Sequence, residues 1–207
     1  MINLFNIVNH TVDTSIFSNF LHDKSITEFE ERFAGYVGAS YACSVNSASS
    51  AIFLTFINNK TTVEIPSIIP PVVPNSIITA GSNVHFTDDP DWVGGSYILH
   101  EFPEYKVIDS AQRIKAQQFK DEADDDDVII FSFYPTKPVG SSDGGMIVSN
   151  NEDVIKYYRE LSFYGMSYAH NNWDRKLITP GYKMYMNSIQ AYIANKNFNR
   201  YPSNFSA

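Results

Sequence analysis

Apolar residues along the chain recur with two different periods, and the two periods alternate. In ITEFEERFAGYV (26–37), Phe29, Phe33 and Val37 fall four residues apart, which predicts an amphipathic helix. YACSV (41–45) is a short apolar run that predicts a strand; the small polar residues NSASS (46–50) predict a tight turn, and AIFLTFI predicts a helix. VEIP (63–66) predicts a second strand, residues 72–80 a helix closing at Gly81, and NVHFTDD a third strand. YILH (97–100) and YKVIDSA (105–111) read as short strands, and VIIFSF (128–133) and MIVS (146–149) as two more. Asn150 or Asn151 is placed to cap the helix EDVIKYYRELSFY, and a last helix is expected over 184–196. Strands alternating with helices predict an α/β fold, a mainly parallel sheet flanked by helices. The pattern shows no internal repeat, and the tail NRYPSNFSA reads as frayed.

Composition narrows this picture. A chain of 207 residues with 43% hydrophobic content is expected to build one domain with a buried core. A formal net charge of −8 argues against a general affinity for nucleic acid or an anionic membrane, although a local pocket for an anion stays open. Cys43 is the single cysteine, so no internal disulfide is expected and a reducing cytoplasm fits. The start, MINLFNIVNHTVD, lacks the pattern of a signal peptide, and no apolar run reaches membrane-spanning length. The acidic run DEADDDD (121–127) reads as a solvated turn rather than a metal site, and the five histidines show no metal-ligand spacing. His85, on a strand, reads as packed or exposed rather than catalytic. Trp92 and Trp173 fit either a substrate pocket or loop packing.

Sheets of this class bind ligands at the C-terminal ends of their strands, and three such ends carry candidate chemistry. At NSASS, small residues let the backbone approach an oxyanion, and the amides opening the next helix point toward it. The helix dipole adds about 0.3–1 kcal/mol. Small polar turns without a ligand look the same. At VIDSAQ (107–112), Asp109 ends an apolar strand, where a carboxylate is costly unless paired. A partner cation would lower its pKa by about 1–3 units and keep it ionised; a turn or cap aspartate is the plainer alternative. Gln112 fits either a ligand contact or a solvent-facing position. At FSFYPTKPVGSSDGGMIVSN (131–150), Lys137 follows Ser132 by five residues, so both can reach one pocket. A lysine among apolar walls has a lowered pKa, and its neutral amine forms Schiff bases. A loop lysine facing water is the alternative. Taken together, an anion cradle, a carboxylate for a ring nitrogen and a nucleophilic lysine are the minimal set for pyridoxal 5′-phosphate.

At these residues the sequence resembles the DegT/DnrJ/StrS family of pyridoxal-phosphate-dependent sugar aminotransferases, of fold type I. FEERFAGYVGASYACSVNSASSAIFL is similar to the family's helix, strand and phosphate turn, and IPSIIPPVVPNSIITAGSNVHFTDD to the strand-helix-strand that follows. VIDSAQ resembles its aspartate motif, FSFYPTKPVGSSDGGMIVSN its lysine motif, and GYKMYMNSIQAYIA its segment near the subunit interface. The resemblance implies that Lys137 carries the cofactor as a Schiff base and moves the proton of the 1,3-shift. It implies that Asp109 pairs with the pyridinium nitrogen and Gln112 contacts the 3′-oxygen. Ser49, the backbone amides of Ala48 and Ser49, and Ser132 would bind the phosphate. Asp143, Gly144 and Gly145 match the family pattern beyond the lysine. Tyr134, just before Pro135, is a separate candidate to flank the cofactor.

The implied activity is transfer of an amino group from glutamate or glutamine to a keto sugar, nucleotide-linked, of the kind used in polysaccharide biosynthesis. A cytoplasmic homodimer without membrane or nucleic-acid partners is expected. The alternatives are a PLP-dependent sugar dehydratase, whose family members typically replace the lysine, and a non-catalytic remnant that binds or interacts. Alanine and serine stand at 48 and 49 where the family usually has glycine and threonine, and Pro70 stands near the place of a stacking aromatic. Lys183 and Tyr185 replace residues that are often asparagine or arginine, which puts Lys183 within a cross-subunit role or a plain interface one. The stretch from Phe86 to Asp109 is shorter than usual, as if a strand-helix unit were lost. Residues 1–207 are therefore expected to form the large cofactor-binding domain alone, without the small C-terminal domain.

Overall fold

A computed structural model describes residues 10–88, 95–167 and 175–201. Trp92, Trp173, His170 and residues 202–207 of the tail lie outside the described residues.

Helix α1 (Lys24–Val37) begins where the Asp23 side chain accepts the Ser25 N–H and ends at Gly38, whose φ of +83° suits a residue without Cβ. Its four-residue stripe is buried as the pattern predicts: Phe29, Phe33 and Val37 have no exposed surface. Strand β1 (Tyr41–Val45) and helix α2 (Ala48–Phe56) follow, then β2 (Thr62–Pro66), α3 (Val72–Thr79) and β3 (Asn83–Thr87). Next come β4 (Tyr97–Glu101), β5 (Lys106–Asp109), α4 (Gln118–Glu122) and β6 (Val128–Ser132). The order closes with β7 (Gly145–Ser149), α5 (Glu152–Ser162) and α6 (Ser188–Phe198). Of the two asparagines proposed as the α5 cap, Asn151 takes the role, while Asn150 accepts from the Ser40 N–H instead.

Five strands form one sheet in the order β1-β7-β6-β5-β4, and β2 and β3 pair in parallel beside it. The sheet is mixed. β5 and β6 are parallel, but β7 runs against both β1 and β6, and β4 runs against β5. The reason lies in the connections. A parallel neighbour needs a crossover of a dozen or more residues, usually a helix, whereas a short link returns antiparallel. Only residues 102–105 separate β4 from β5, and no helix separates β6 from β7. The strand read at 97–100 is present as β4 and turns straight into β5.

Both faces of the sheet are covered. Ile129 and Phe131 face a cluster built on α1 and α6, where Phe33 meets Phe131 and Phe133 at 5.0 and 5.2 Å between ring centroids. Val128 and Ile130 face the other way, into a cluster with α2, α3 and α5. Such two-sided burial explains why β6 and β7 read as continuous apolar runs rather than alternating ones. Among the described residues no helix is long and apolar enough to cross a membrane.

Three expectations are corrected. The acidic run is not a fully solvated turn: Asp121 and Glu122 belong to α4, and Asp127 is buried, accepting the N–H groups of Lys106 and Asp124. The last helix starts at Ser188, not 184, because the preceding residues are drawn to β1. Tyr185 bridges Val45, and the Asn46 N–H donates to the Met184 carbonyl. Asn187 and Gln190 then form a capping box. Of the tail, Tyr201 is anchored: its O–H donates to the Ile114 carbonyl and its ring packs on Phe198.

One ion pair ties three elements together. Glu30 on α1 is 5% exposed. Arg159 on α5 reaches its two carboxylate oxygens at 3.2 and 2.8 Å and also donates to the Ala42 carbonyl of β1. Ser44 of β1 donates its N–H and O–H to the same carboxylate. Removing one partner leaves a buried charge uncompensated, so Arg159→Ala is expected to cost about 3–5 kcal/mol. Replacing both, as Glu30→Gln with Arg159→Met, is expected to cost less. Urea unfolding of the two variants checks this order.

Candidate functional site

The turn after β1, the C-terminal end of β5 and the loop after β6 open on one cavity of about 580 Å³. Its lining includes Ser47, Ala48 and Ser49 from the start of α2, Asp109, Ala111 and Gln112 from the end of β5, and Ser132 and Lys137 from the end of β6. Three sequence segments far apart in the chain thus meet where the topology of an α/β sheet places ligands.

One side of the cavity is built by the turn into α2. Ser47 caps the helix, its Oγ accepting the Ser50 N–H at 3.2 Å, and Asn46 accepts from the Ser50 hydroxyl. The amides of Ala48 and Ser49 then belong to the first turn, where a helix has no internal acceptor for its N–H groups. Positive φ among non-glycine residues is confined to Gln117 and Tyr164 within the described chain, so alanine is conformationally acceptable at 48. Gly145, the first residue of β7, lies against this turn. A Cβ on it would stand 2.6 Å from the Ala48 nitrogen and 2.8 Å from the Ser47 carbonyl carbon. The second glycine of the pair is required by close approach of backbone to backbone, and it places β7 directly against the α2 turn. Gly144 takes the turn itself, at φ +145°.

Lys137 is carried on a tightly specified loop. Its N–H donates to the Tyr134 carbonyl at 2.8 Å, and Ser141 N–H returns to the Phe133 carbonyl at 2.8 Å. Val139 is fully buried beneath the loop, and Gly140 packs so closely on the Pro135 carbonyl that a Cβ would stand 2.5 Å from its oxygen. The lysine is half-buried, and desolvation moves its amine below the usual lysine range despite the opposing influence of Asp109. A larger fraction of this amine than of a surface lysine is therefore neutral and nucleophilic near neutral pH.

Asp109 is 4% exposed. Its Oδ1 accepts the Ala111 N–H at 2.9 Å and its Oδ2 accepts the Tyr97 O–H at 2.9 Å. The expectation that a cation holds this carboxyl below its ordinary range is corrected. Burial raises its pKa, and the Ala111 amide, the Tyr97 phenol and Lys137 only partly offset it. The reason is burial: Lys137 acts on it through charge alone, with no hydrogen bond between them, and does not outweigh the desolvation.

Of the residues singled out from sequence, Ala48, Ser49, Asp109, Gln112, Ser132 and Lys137 all line the cavity, as do Pro70, Tyr134 and Asp143. Gln112 is exposed and Ser132 is buried, its Oγ accepting the Tyr134 N–H at 3.3 Å. The Asp143 carboxyl is pushed up by burial and accepts the Gly144 N–H. Lys183 is exposed, bridges Phe163 and is not part of the lining. Ile52, Ile69, Val72 and Val73 supply an apolar wall. Sequence reasoning missed Tyr97, which touches Asp109 directly; only its apolar strand context marked it, and the pairing depends on register.

The close approach at Gly145 generates a test. Gly145→Ala must displace the first turn of α2 or the start of β7, and is expected to cost about 1–3 kcal/mol. Gly35→Ala, mid-helix in α1 with nothing within 4 Å of the new Cβ, is expected to stabilise by up to about 1 kcal/mol. Urea unfolding of both variants checks the opposite signs.

Comparison with known proteins follows the same lines. A sequence model of the DegT/DnrJ/EryC1/StrS aminotransferase family matches residues 6–91 and 107–206. The chain is 27% identical over 205 residues to a UDP-4-amino-4,6-dideoxy-N-acetyl-beta-L-altrosamine transaminase of Campylobacter jejuni, covering 80% of this chain and 54% of that protein. It is 26% identical to the spore coat polysaccharide biosynthesis protein SpsC of Bacillus subtilis, with the same shares covered. The chain thus spans about half the length of the curated relatives it matches. Among solved structures, the pseudaminic acid biosynthesis aminotransferase PseC of Helicobacter pylori superposes with a TM-score of 0.69 at 15% identity, covering 96% of this chain and 66% of that one. NtdA of Bacillus subtilis, solved with bound cofactor PMP, gives 0.70 at 18% identity, covering 89% and 50%. These structural likenesses show the fold, type I of the PLP-dependent enzymes, and the sequence match shows the rest: the chain belongs to the DegT/DnrJ/EryC1/StrS aminotransferase family.

Proposed function

We propose that the cavity holds pyridoxal 5′-phosphate and that the protein transfers an amino group from glutamate or glutamine to a keto sugar carried on a nucleotide. The observation that carries this reading is one cavity holding a half-buried lysine of lowered pKa, a buried carboxylate and a helix N-terminus. The residues fit the group. Lys137 supplies the amine that anchors an aldehyde, and Asp109 supplies an acceptor for a ring N–H. Gln112 would contact the 3′-oxygen, while Ser49, the amides of Ala48 and Ser49, and Ser132 would hold the phosphate. When bound, the cofactor supplies an electron-withdrawing ring that stabilises negative charge at the substrate's α carbon.

The protein's own part is acid–base and positional. Lys137 Nζ, partly neutral by desolvation, is the group that would accept and return a proton beside the bound cofactor. Asp109 would favour a protonated ring nitrogen. The apolar side chains of Ile52, Ile69, Val72 and Val73 would pack on the ring where Pro70 stands near the place of a stacking aromatic. Residues 1–207 act as one cofactor-binding domain of a cytoplasmic homodimer, in which exposed Lys183 reaches toward the partner's cavity. The exposed side chains of Leu177 and Ile178 support a covered face on that side. Pro70 in the cavity wall favours a second reading, a member that holds the cofactor without turning over.

Protein loaded with pyridoxal phosphate is expected to show a visible absorption band that Lys137→Ala abolishes, with amino transfer falling roughly 10²-fold or more. Glutamate or glutamine is expected to bleach the band. A band that no amino donor bleaches supports the second reading, and a colourless wild-type protein contradicts both.

A further inference from the structure

We propose that Tyr97 is a positioning residue for the cofactor's ring nitrogen: its phenol holds the Asp109 carboxylate in place by donating to Oδ2. This inference rests on the cofactor reading above and extends it to a residue on a neighbouring strand.

The placement comes from an irregularity in the β4–β5 hairpin. Near the turn, Glu101 pairs with Lys106 and His100 with Val107. Continued without change, that register would set Ile98 opposite Asp109. The register instead shifts between Ile98 and His100, so that Ile98 pairs with Ile108 and Tyr97 with Asp109. Leu99 is the extra residue, and it is buried, which holds the bulge in place. Bulges beside functional sites re-aim side chains, and here the shift sets a tyrosine directly across from the aspartate. The short link of residues 102–105 is what makes β4 an antiparallel neighbour at all.

The chemistry suits the role. The two oxygens of Asp109 each accept one bond from the protein, from Ala111 N–H and Tyr97 O–H, and an ionised carboxylate has further lone pairs for a ring N–H. The groups acting on the carboxyl are Tyr97 from β4, the Ala111 amide beyond β5, and Lys137 from the loop after β6. Burial and the adjoining carboxylate push the Tyr97 phenol far above its usual range, so it stays a donor across the working pH range. Without that donor, burial acts on Asp109 with less opposition. Its carboxyl then stays protonated to higher pH, and a protonated carboxyl is a poorer acceptor for a ring N–H.

The test begins with the unloaded protein. A carboxyl whose folded pKa is raised loses stability as pH climbs from its ordinary value through the folded one. Removing the donor raises the folded value further, so the loss extends to higher pH. The ratio of unfolding constants, Tyr97→Phe over wild type, is therefore expected to grow about tenfold as pH rises through this window, the size of one hydrogen bond to a charged group. Val128→Ala, a packing defect at the far end of β6, is expected to give a pH-independent ratio. The second arm is the dissociation constant for pyridoxal phosphate by equilibrium dialysis across pH, where Tyr97→Phe is expected to bind about tenfold more weakly near neutrality. A Tyr97→Phe ratio as flat as that of Val128→Ala overturns the proposal, as does unchanged affinity. If wild-type protein binds no cofactor, the cofactor reading fails while the growing ratio still shows the phenol holding the carboxylate ionised.

Discussion

Two groups of opposite charge share one cavity in this protein without neutralising each other. Lys137 and Asp109 each feel the other's charge, and in each case burial is the larger influence. Desolvation favours the neutral form of both. That balance is what the site depends on. A tight ion pair would fix the amine as an ammonium and remove it from chemistry; a distant pair would leave the carboxylate with no electrostatic support. The cavity between them offers a third group room to take both contacts.

The fold maintains this balance through backbone rather than side-chain adjustments. Lys137 stands on a loop pinned at Phe133, Pro135 and Gly140, and Asp109 ends a strand inside a five-stranded sheet. The α2 turn is wedged against Gly145 at a distance that admits no Cβ. Glu30 and Arg159 join α1, β1 and α5, so the strand leading into the α2 turn is held from two sides. Each of these contacts couples a local sequence requirement, such as a glycine, a proline or a buried pair, to the placement of one functional group.

Much of this was legible beforehand because its causes are local. The four-residue stripe of α1, the two-sided apolar run of β6 and the small-residue turn at 46–50 are written in adjacent residues, and six proposed site residues meet in one cavity as a result. What escaped was set at a distance. The pairing of Tyr97 with Asp109 depends on a bulge that no periodicity announces. Asp127 sits in a run of carboxylates that looks solvated, yet it is buried, taking the Lys106 amide of the neighbouring strand β5. The start of α6 was missed for a different reason. The capping pair Asn187 and Gln190 was present in the sequence, but the apolar residues before it continue a helical pattern that β1 claims for itself. The direction of β4 likewise follows from the length of one turn rather than from the strand's own residues.

The central claim is that desolvation makes Lys137 the reactive amine of this chain. Incubation with limiting pyridoxal phosphate, borohydride reduction and peptide mapping measures that directly, because reduction locks the label onto whichever amine has reacted. The account predicts label concentrated on Lys137, with exposed lysines such as Lys183 and Lys24 left largely unmodified. Label spread evenly over surface lysines, with Lys137 among the least modified, would contradict it.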